Sequence, residues 1–274
     1  MSRRPDSDGL RDADGFLRQA KKRLGQNFLH ERGIIDKILL AVDPRPGERI
    51  VEIGPGQGAL TLPLLARHGA VTAIEFDNDL LAPLAAAARQ TGGQLDLIHR
   101  DVLQVDFNGL ADRLGGPLRL VGNLPYNLSS PILFHALDHA DAVVDMHFML
   151  QKEVVERMAA SEGSKVYGRL SVMLQAYCRV TPLIKVPPGA FRPAPKVDSA
   201  VVRLVPKAAG EVEVRDRGRF AEVVRAAFGQ RRKTLHNALQ DVCDDDAIRA
   251  AGLNPGLRAE QVPVGGFIAL ANAS

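Results

Sequence analysis

With 274 residues, 46% of them hydrophobic, the chain can build one good core and a smaller second domain; its two cysteines, Cys178 and Cys243, are too few for a disulfide framework and fit reduced thiols. No uninterrupted apolar run approaches the roughly 20 residues that span a bilayer, and the polar start MSRRPDSDGLRDADGF lacks the apolar stretch of a secretory signal, so the expectation is a cytoplasmic protein without a membrane partner. The net charge of +3 and isoelectric point of about 9.0 exclude little by themselves, because nucleic-acid binding depends on where charge gathers, here at Lys21, Lys22 and Arg23 and at Arg225, Arg231, Arg232 and Lys233.

Residues 1–20 mix Arg, Asp, Ser and Gly with few large apolar groups and read as a flexible tail. From Gly33, IIDKILLAV has helical spacing and stops at Asp43-Pro44. ERIVEIG is a short buried strand and GQGALTLPLLARHG opens a helix. AVTAIEFD is the next strand, LLAPLAAAARQ the next helix, and LDLIHRD and LRLVGN are the third and fourth strands. SPILFHALDHA is helical and VVDMHFMLQ a strand. RLSVMLQAYCRVTPLIKV reads as helix then strand, and SAVVRLVP, after the proline-rich FRPAPKVD, as a further strand. This alternation predicts an α/β fold with a doubly wound, Rossmann-like sheet. PKAAGEVEVRDRG is charged and reads as a linker near residues 206–218. Beyond it RFAEVVRAAFGQRRKTLHNALQ is amphipathic, with Phe220, Val223, Val224, Ala227, Phe228, Leu235 and Leu239 on one side. The expected organisation is a tail (1–20), a catalytic domain (21–206) and a small helical domain (207–274). His135 and His139 sit four apart on a helix without a suitable third ligand nearby, and no metal is expected.

Two stretches carry chemistry. VEIGPGQGAL places Gly54, Gly56 and Gly58 between a strand and a helix, where small residues let the backbone approach a ligand. About twenty residues on, the next strand ends at Glu75, a carboxylate that can accept from ribose hydroxyls. The second stretch is GNLPYN, residues 122–127, at the end of the fourth strand. It is either a turn that ends the strand or a slot for something planar and polar: Asn123 brings an amide, Pro125 stiffens the turn and Tyr126 brings a flat ring.

The G-x-G-x-G spacing, preceded by Glu52, resembles the first motif of the Rossmann-like class I methyltransferases that use S-adenosylmethionine, and differs from the G-x-G-x-x-G of nicotinamide enzymes. NLPY resembles the motif of methyltransferases that act on exocyclic amines of bases. In order and spacing KKRLGQNFL (21–29), VEIGPGQG, NLPYN and FRPAPKVDSAVVRL (191–204) together resemble the ribosomal RNA adenine dimethylase family over about residues 21–265. FGQRRKTLHNAL points to its small-subunit branch.

The resemblance implies transfer of methyl groups from S-adenosylmethionine to two adjacent adenosines, two methyls on each, in a hairpin loop near the 3′ end of 16S rRNA in a small-subunit precursor. Asn27, Leu29, Gly54, Gly56, Glu75, Asp101 and Asn123 would form the cofactor site, with Glu75 on the ribose and Asp101 facing the adenine. Asn123, Leu124, Pro125 and Tyr126 would be the catalytic motif: the Asn123 side-chain oxygen and the Leu124 carbonyl accept from the amine, and Tyr126 stacks on the base. Phe191 would close the target pocket opposite Tyr126. Arg225, Arg231, Arg232 and Lys233 would contact RNA phosphate. No obligatory protein partner is implied. The competing readings are a large-subunit rRNA adenine methyltransferase and a catalytically idle RNA-binding assembly factor.

Overall fold

The computed structural model describes residues 27–211, 213–230 and 232–274. The expected tail, the Lys21-Lys22-Arg23 group and Arg231 lie outside these residues. In chain order the elements are β1 (Phe28–Leu29), α1 (Arg32–Val42), β2 (Arg49–Ile53), α2 (Thr61–His68), β3 (Ala70–Glu75), α3 (Asn78–Arg89), β4 (Gln94–His99), α4 (Phe107–Leu114), β5 (Leu118–Asn123), α5 (Ser129–Asp138), β6 (Val143–Gln151), α6 (Lys152–Met158), α7 (Arg169–Tyr177), β7 (Cys178–Val186), β8 (Phe191–Arg192), β9 (Ser199–Pro206), α8 (Arg217–Gly229), α9 (Leu235–Ala238), α10 (Asp245–Ala250) and α11 (Val264–Ala273).

Seven strands form one sheet in the order β4-β3-β2-β5-β6-β9-β7. The first five run parallel, and β9 runs antiparallel to both β6 and β7. This is the expected doubly wound sheet with an antiparallel strand near one edge. Its order reverses between β2 and β5, and in open α/β sheets that reversal leaves a crevice at the carboxyl ends of the strands. The glycine loop follows β2 and GNLPYN ends β5, so both chemical stretches fall on the crevice.

The strands obey the two-residue alternation of a sheet buried on both faces. Leu118 and Leu120 pack on one side with Phe148, Leu150, Val202 and Leu204. Ile50, Val121, Met149 and Val201 face the other side, against Ile34, Ile38 and Leu39 of α1 and Leu64 and Leu65 of α2. Helix ends follow local chemistry. The Glu31 carboxylate caps α1 by accepting from the amides of Gly33 (3.1 Å) and Ile34 (2.6 Å), and α2 and α4 stop at Gly69 and Gly115 in the left-handed region.

The C-terminal helices continue the first core. Phe220, Val223, Val224, Leu235, Leu239 and Phe267 join one apolar cluster with Tyr167, Val172 and Tyr177. The Tyr167 hydroxyl donates to the Val262 carbonyl (2.9 Å) across that contact. The amphipathic run expected over 219–240 is divided: α8 stops at Gly229 and α9 starts at Leu235, so Arg232 and Lys233 lie on the connecting turn instead of on a helix. The turn lets Leu235 and Leu239 both reach full burial although the polar GQRRKT would interrupt a continuous apolar stripe.

At the amino ends of the strands a charged cluster is sealed in. Arg119, the second residue of β5, holds Asp145 of β6 with two hydrogen bonds (2.9 and 3.0 Å), Glu48 with one (2.6 Å), and the Val42 carbonyl with another (2.7 Å). Arg203 of β9 reaches the same Asp145 (3.1 Å). Burial raises the Asp145 carboxyl, but the Arg119 hydrogen bonds and the neighbouring charges outweigh it and hold the group below the usual carboxylate range.

Candidate functional site

The crevice holds a cavity whose walls come from β1, the loop after β2, the ends of β3 and β4, and the loop after β5. The glycine loop is shaped by conformation and by close approach. Gly54, Gly56 and Gly58 all have positive φ (68°, 57° and 85°), which disfavours any residue with a Cβ. A Cβ on Gly56 would also meet the Phe28 ring at 3.2 Å. Gly122 on β5 is required for another reason: a Cβ there would lie 2.5 Å from the Ile53 carbonyl oxygen. Its absence lets β5 pass close to the end of β2, bringing the Asn123 backbone beside Gly54.

Glu75 ends β3 and is 7% exposed. Its carboxylate accepts from the backbone of Gly56 (3.2 Å) and of Asp77 (2.7 Å). A carboxylate has about four lone-pair positions, so acceptor capacity remains for a diol. Burial pushes this carboxyl up, against those backbone hydrogen bonds. Glu52 lies deeper, at 2% exposure, and accepts from the Thr61 hydroxyl (2.6 Å). Burial pushes its carboxyl up to about 7, with a further push from the charge of Glu75. Asp101 lines the far wall, one oxygen accepting from the Leu103 amide (3.0 Å).

Among the described residues the cavity lining thus carries four carboxyls, at Glu52, Glu75, Asp77 and Asp101, against one guanidinium, Arg100. A pyrophosphate would meet repulsion here. A cationic ligand is favoured by this excess of carboxyls, and a ligand with hydroxyl or amine donors has acceptors available, with apolar walls from Ile53, Ile74, Leu80 and Val102.

GNLPYN closes the other side. The Asn123 side-chain nitrogen donates to the Asn27 carbonyl (2.9 Å). That bond assigns the two ends of the amide and leaves its oxygen as an acceptor, on a residue that lines the cavity. The Leu124 amide is held by the Met149 carbonyl (3.2 Å). The carbonyls of Pro125 and Tyr126 accept from the Ser129 hydroxyl (3.2 and 3.0 Å). Tyr126 is half-buried, and its hydroxyl pairs with that of Ser199 at 2.6 Å. Burial pushes the phenol up, so it stays neutral.

Asn27, Leu29, Gly54, Gly56, Glu75, Asp101 and Asn123 all lie on this one cavity with Leu124, Pro125 and Tyr126. Phe191 does not. It is 2% exposed and packs in the apolar cluster beside Leu29. The cause is the pairing of β1 with β8, in which Leu29 stands opposite Phe191 and Phe28 opposite Arg192. The expectation that Phe191 faces Tyr126 across a pocket is corrected accordingly: the ring belongs to the apolar core and not to the cavity lining. The sequence reading also missed Phe28, which lies over Gly56, and Phe76, which is 61% exposed on the cavity rim. Phe28 sits inside the GQNFL stretch and Phe76 directly follows Glu75, so adjacency to expected residues was the available signal. The two histidines on and after α5 serve packing: His135 bonds the Val105 carbonyl (2.8 Å), and His139 bonds the His135 carbonyl (2.9 Å).

The model of the ribosomal RNA adenine dimethylase family matches residues 17–274. The chain belongs to that family. Among relatives of this dimethylase, the ribosomal RNA small subunit methyltransferase A of Xanthomonas campestris pv. campestris (strain B100) is 70% identical over 257 residues, covering 94% of this chain and 97% of the relative. A dimethyladenosine transferase from Plasmodium falciparum has the same fold with a TM-score of 0.77 at 26% identity, covering 89% of this chain and 95% of the other. The 23S rRNA methyltransferase ErmE, at 24% identity and a TM-score of 0.68 over 90% of this chain and 99% of its own, shares the fold. Among the described residues of this dimethylase no helix is long and apolar enough to cross a membrane.

Proposed function

We propose that this enzyme uses S-adenosylmethionine to dimethylate the N6 amines of two adjacent adenosines in the 3′-terminal hairpin loop of 16S rRNA during small-subunit maturation. The observation that carries the reading is the pair of acceptors at the end of β5. The Asn123 amide is oriented by the Asn27 carbonyl, and its oxygen stands next in the chain to the Leu124 carbonyl. The nitrogen lone pair of an adenine amine is delocalised into the ring. Acceptors on its N–H groups favour a pyramidal nitrogen with the lone pair aimed at the incoming methyl. When bound, S-adenosylmethionine supplies that methyl on a sulfonium. Asn123 and Leu124 then act by orientation and electrostatic preorganisation, with no side chain required to ionise. Tyr126 offers a face on which the base stacks once it has left its own stack. Glu75 accepts from the ribose and Asp101 from the adenine.

The identity of the small-subunit relative supports this substrate over the large-subunit alternative. The test is transfer of labelled methyl to small subunits lacking the modification, with large subunits as control, followed by digestion to nucleosides. Dimethyladenosine from small subunits alone is expected. Label in large-subunit RNA overturns the substrate assignment, and intact cofactor binding with no label on either overturns the catalytic one.

Arg225, Arg232 and Lys233 are exposed near the end of α8 and on the turn after it. Together with Arg231 they are proposed to contact phosphate, adding affinity without sequence choice. Replacing Arg225, Arg232 and Lys233 with alanine is expected to flatten the dependence of log affinity on log salt by about 0.7 to 0.9 per lost contact. Binding measured between low and physiological salt checks this, and an unchanged slope removes these residues from the RNA interface.

A further inference from the structure

We infer that Ser199 is a positioning residue for the target base: its buried hydroxyl fixes the Tyr126 ring in the orientation that receives the extruded adenine. The inference rests on the stacking role proposed for Tyr126. Ser199 opens β9 and is fully buried. Its backbone is held from both sides, opposite Gln151 of β6 and Val186 of β7. The residues that follow it, Ala200, Val201 and Val202, are apolar and buried, so a hydroxyl at this point needs a partner. The partner is the Tyr126 hydroxyl at 2.6 Å, from a residue 73 positions earlier in the chain.

Tyr126 sits on a loop whose backbone is already anchored, by the Leu124 amide on Met149 and the Leu128 amide on the Pro125 carbonyl. What the backbone leaves free is the pair of side-chain torsions. The bond to Ser199 removes that freedom by tying the ring to an inner strand. It also occupies the hydroxyl, so the base meets the ring face, and stacking is tolerant of a methyl already present on the amine. A preset platform requires no reordering at the moment of transfer.

The test compares Ser199→Ala, Tyr126→Phe, the double variant, Ser199→Thr and Tyr126→Ala by single-turnover methyl transfer to unmodified small subunits at saturating S-adenosylmethionine. Cofactor affinity and thermal unfolding are measured in parallel. Ser199→Ala and Tyr126→Phe are each expected to slow transfer about tenfold, equivalent to about 1.4 kcal/mol. The double variant is expected to be no slower than either, as for two partners of one bond. Ser199→Thr, which keeps the hydroxyl, should recover most of the rate, with cofactor affinity within twofold throughout. Tyr126→Phe keeps the ring and adds no bulk, so the comparison survives even if changes at the buried serine impair folding. Rates within twofold of the parent for both single variants, or additive losses in the double, overturn the inference. If Tyr126→Ala loses less than fivefold, the stacking role itself falls; if it loses more than a hundredfold while Tyr126→Phe is unaffected, stacking stands and the Ser199 inference alone fails.

Discussion

Asn123→Ala slows the first methyl transfer by about two to three orders of magnitude, the usual cost of deleting one preorganised polar partner from an active site, while the protein stays folded. The side chain does two things. Its nitrogen ties the β1 segment to the end of β5 through the Asn27 carbonyl (2.9 Å), and its oxygen is the acceptor proposed, with the Leu124 carbonyl, to hold the target amine. Alanine removes both, so affinity for S-adenosylmethionine also falls, by about tenfold for one lost hydrogen bond. Asn123→Asp separates the roles: it keeps an acceptor but sets a carboxylate against a carbonyl, and so loosens the β1 segment. The second transfer is expected to suffer less than the first, because a singly methylated amine has only one N–H left and the Leu124 carbonyl can take it. Single-turnover rates on unmethylated and monomethylated subunits measure the two steps separately. A first-step rate within threefold of the parent would remove Asn123 from the chemistry, and equal losses in both steps would remove the distinction between them.

Asp145→Ala is expected to destabilise the fold by about 3–5 kcal/mol, the range for breaking a buried ion pair from one side. Arg119, with its side chain 8% exposed, would keep Glu48 and two backbone carbonyls but lose its bidentate partner. Arg203, half exposed, can turn to water and contributes little to the loss. Against a typical total of about 5–15 kcal/mol, the effect is large. Urea denaturation checks it through the midpoint at constant slope. A change below about 1 kcal/mol would show that the cluster relaxes, with water or Glu48 replacing the lost carboxylate. The functional echo is positional. Arg119 and Asn123 stand at opposite ends of the same strand, and β5 meets β6 through a register irregularity between Leu118 and Arg119. The ion pair secures the start of β5 beyond that irregularity, and thus where its far end, with Asn123, lies.

The sequence disclosed the parts of this molecule that repeat along the chain. Buried strands such as RIVEI and LRLVGN and the helices between them announce themselves by period, and their alternation implies the parallel sheet. The glycine loop and Glu75 are legible for a related reason: each sits where a strand must end. What stayed hidden is contact between distant segments. β1 and β8 are two residues each, too short for any period, and they meet across more than 160 positions. Phe191 looked the same as a stacking ring beside a proline-rich loop; only the register that sets it opposite Leu29 turns it into the core. The Tyr126–Ser199 bond, the Glu52–Thr61 bond and the close approach at Gly122 likewise depend on which strands are neighbours, a property of the assembled sheet. The break after Gly229 was missed because Leu235 and Leu239 continue the apolar spacing of α8 well enough to suggest an unbroken helix.

The order β6-β9-β7 has a consequence for a chain that is still being made. The last strand to leave the ribosome is an inner one. Until residue 206 has emerged, β7 has no neighbour with which to form a ladder, and the sheet ends at β6. Ser199, the first residue of that strand, comes with it, as β8 comes shortly before to pair with β1. The β1–β8 pairing beside the glycine loop and the Ser199 partner of the Tyr126 hydroxyl are therefore both absent from a nascent chain whose glycine loop and NLPY motif have long since been translated. A chain halted before residue 191 would carry the glycine loop and the NLPY motif without either of these two long-range contacts.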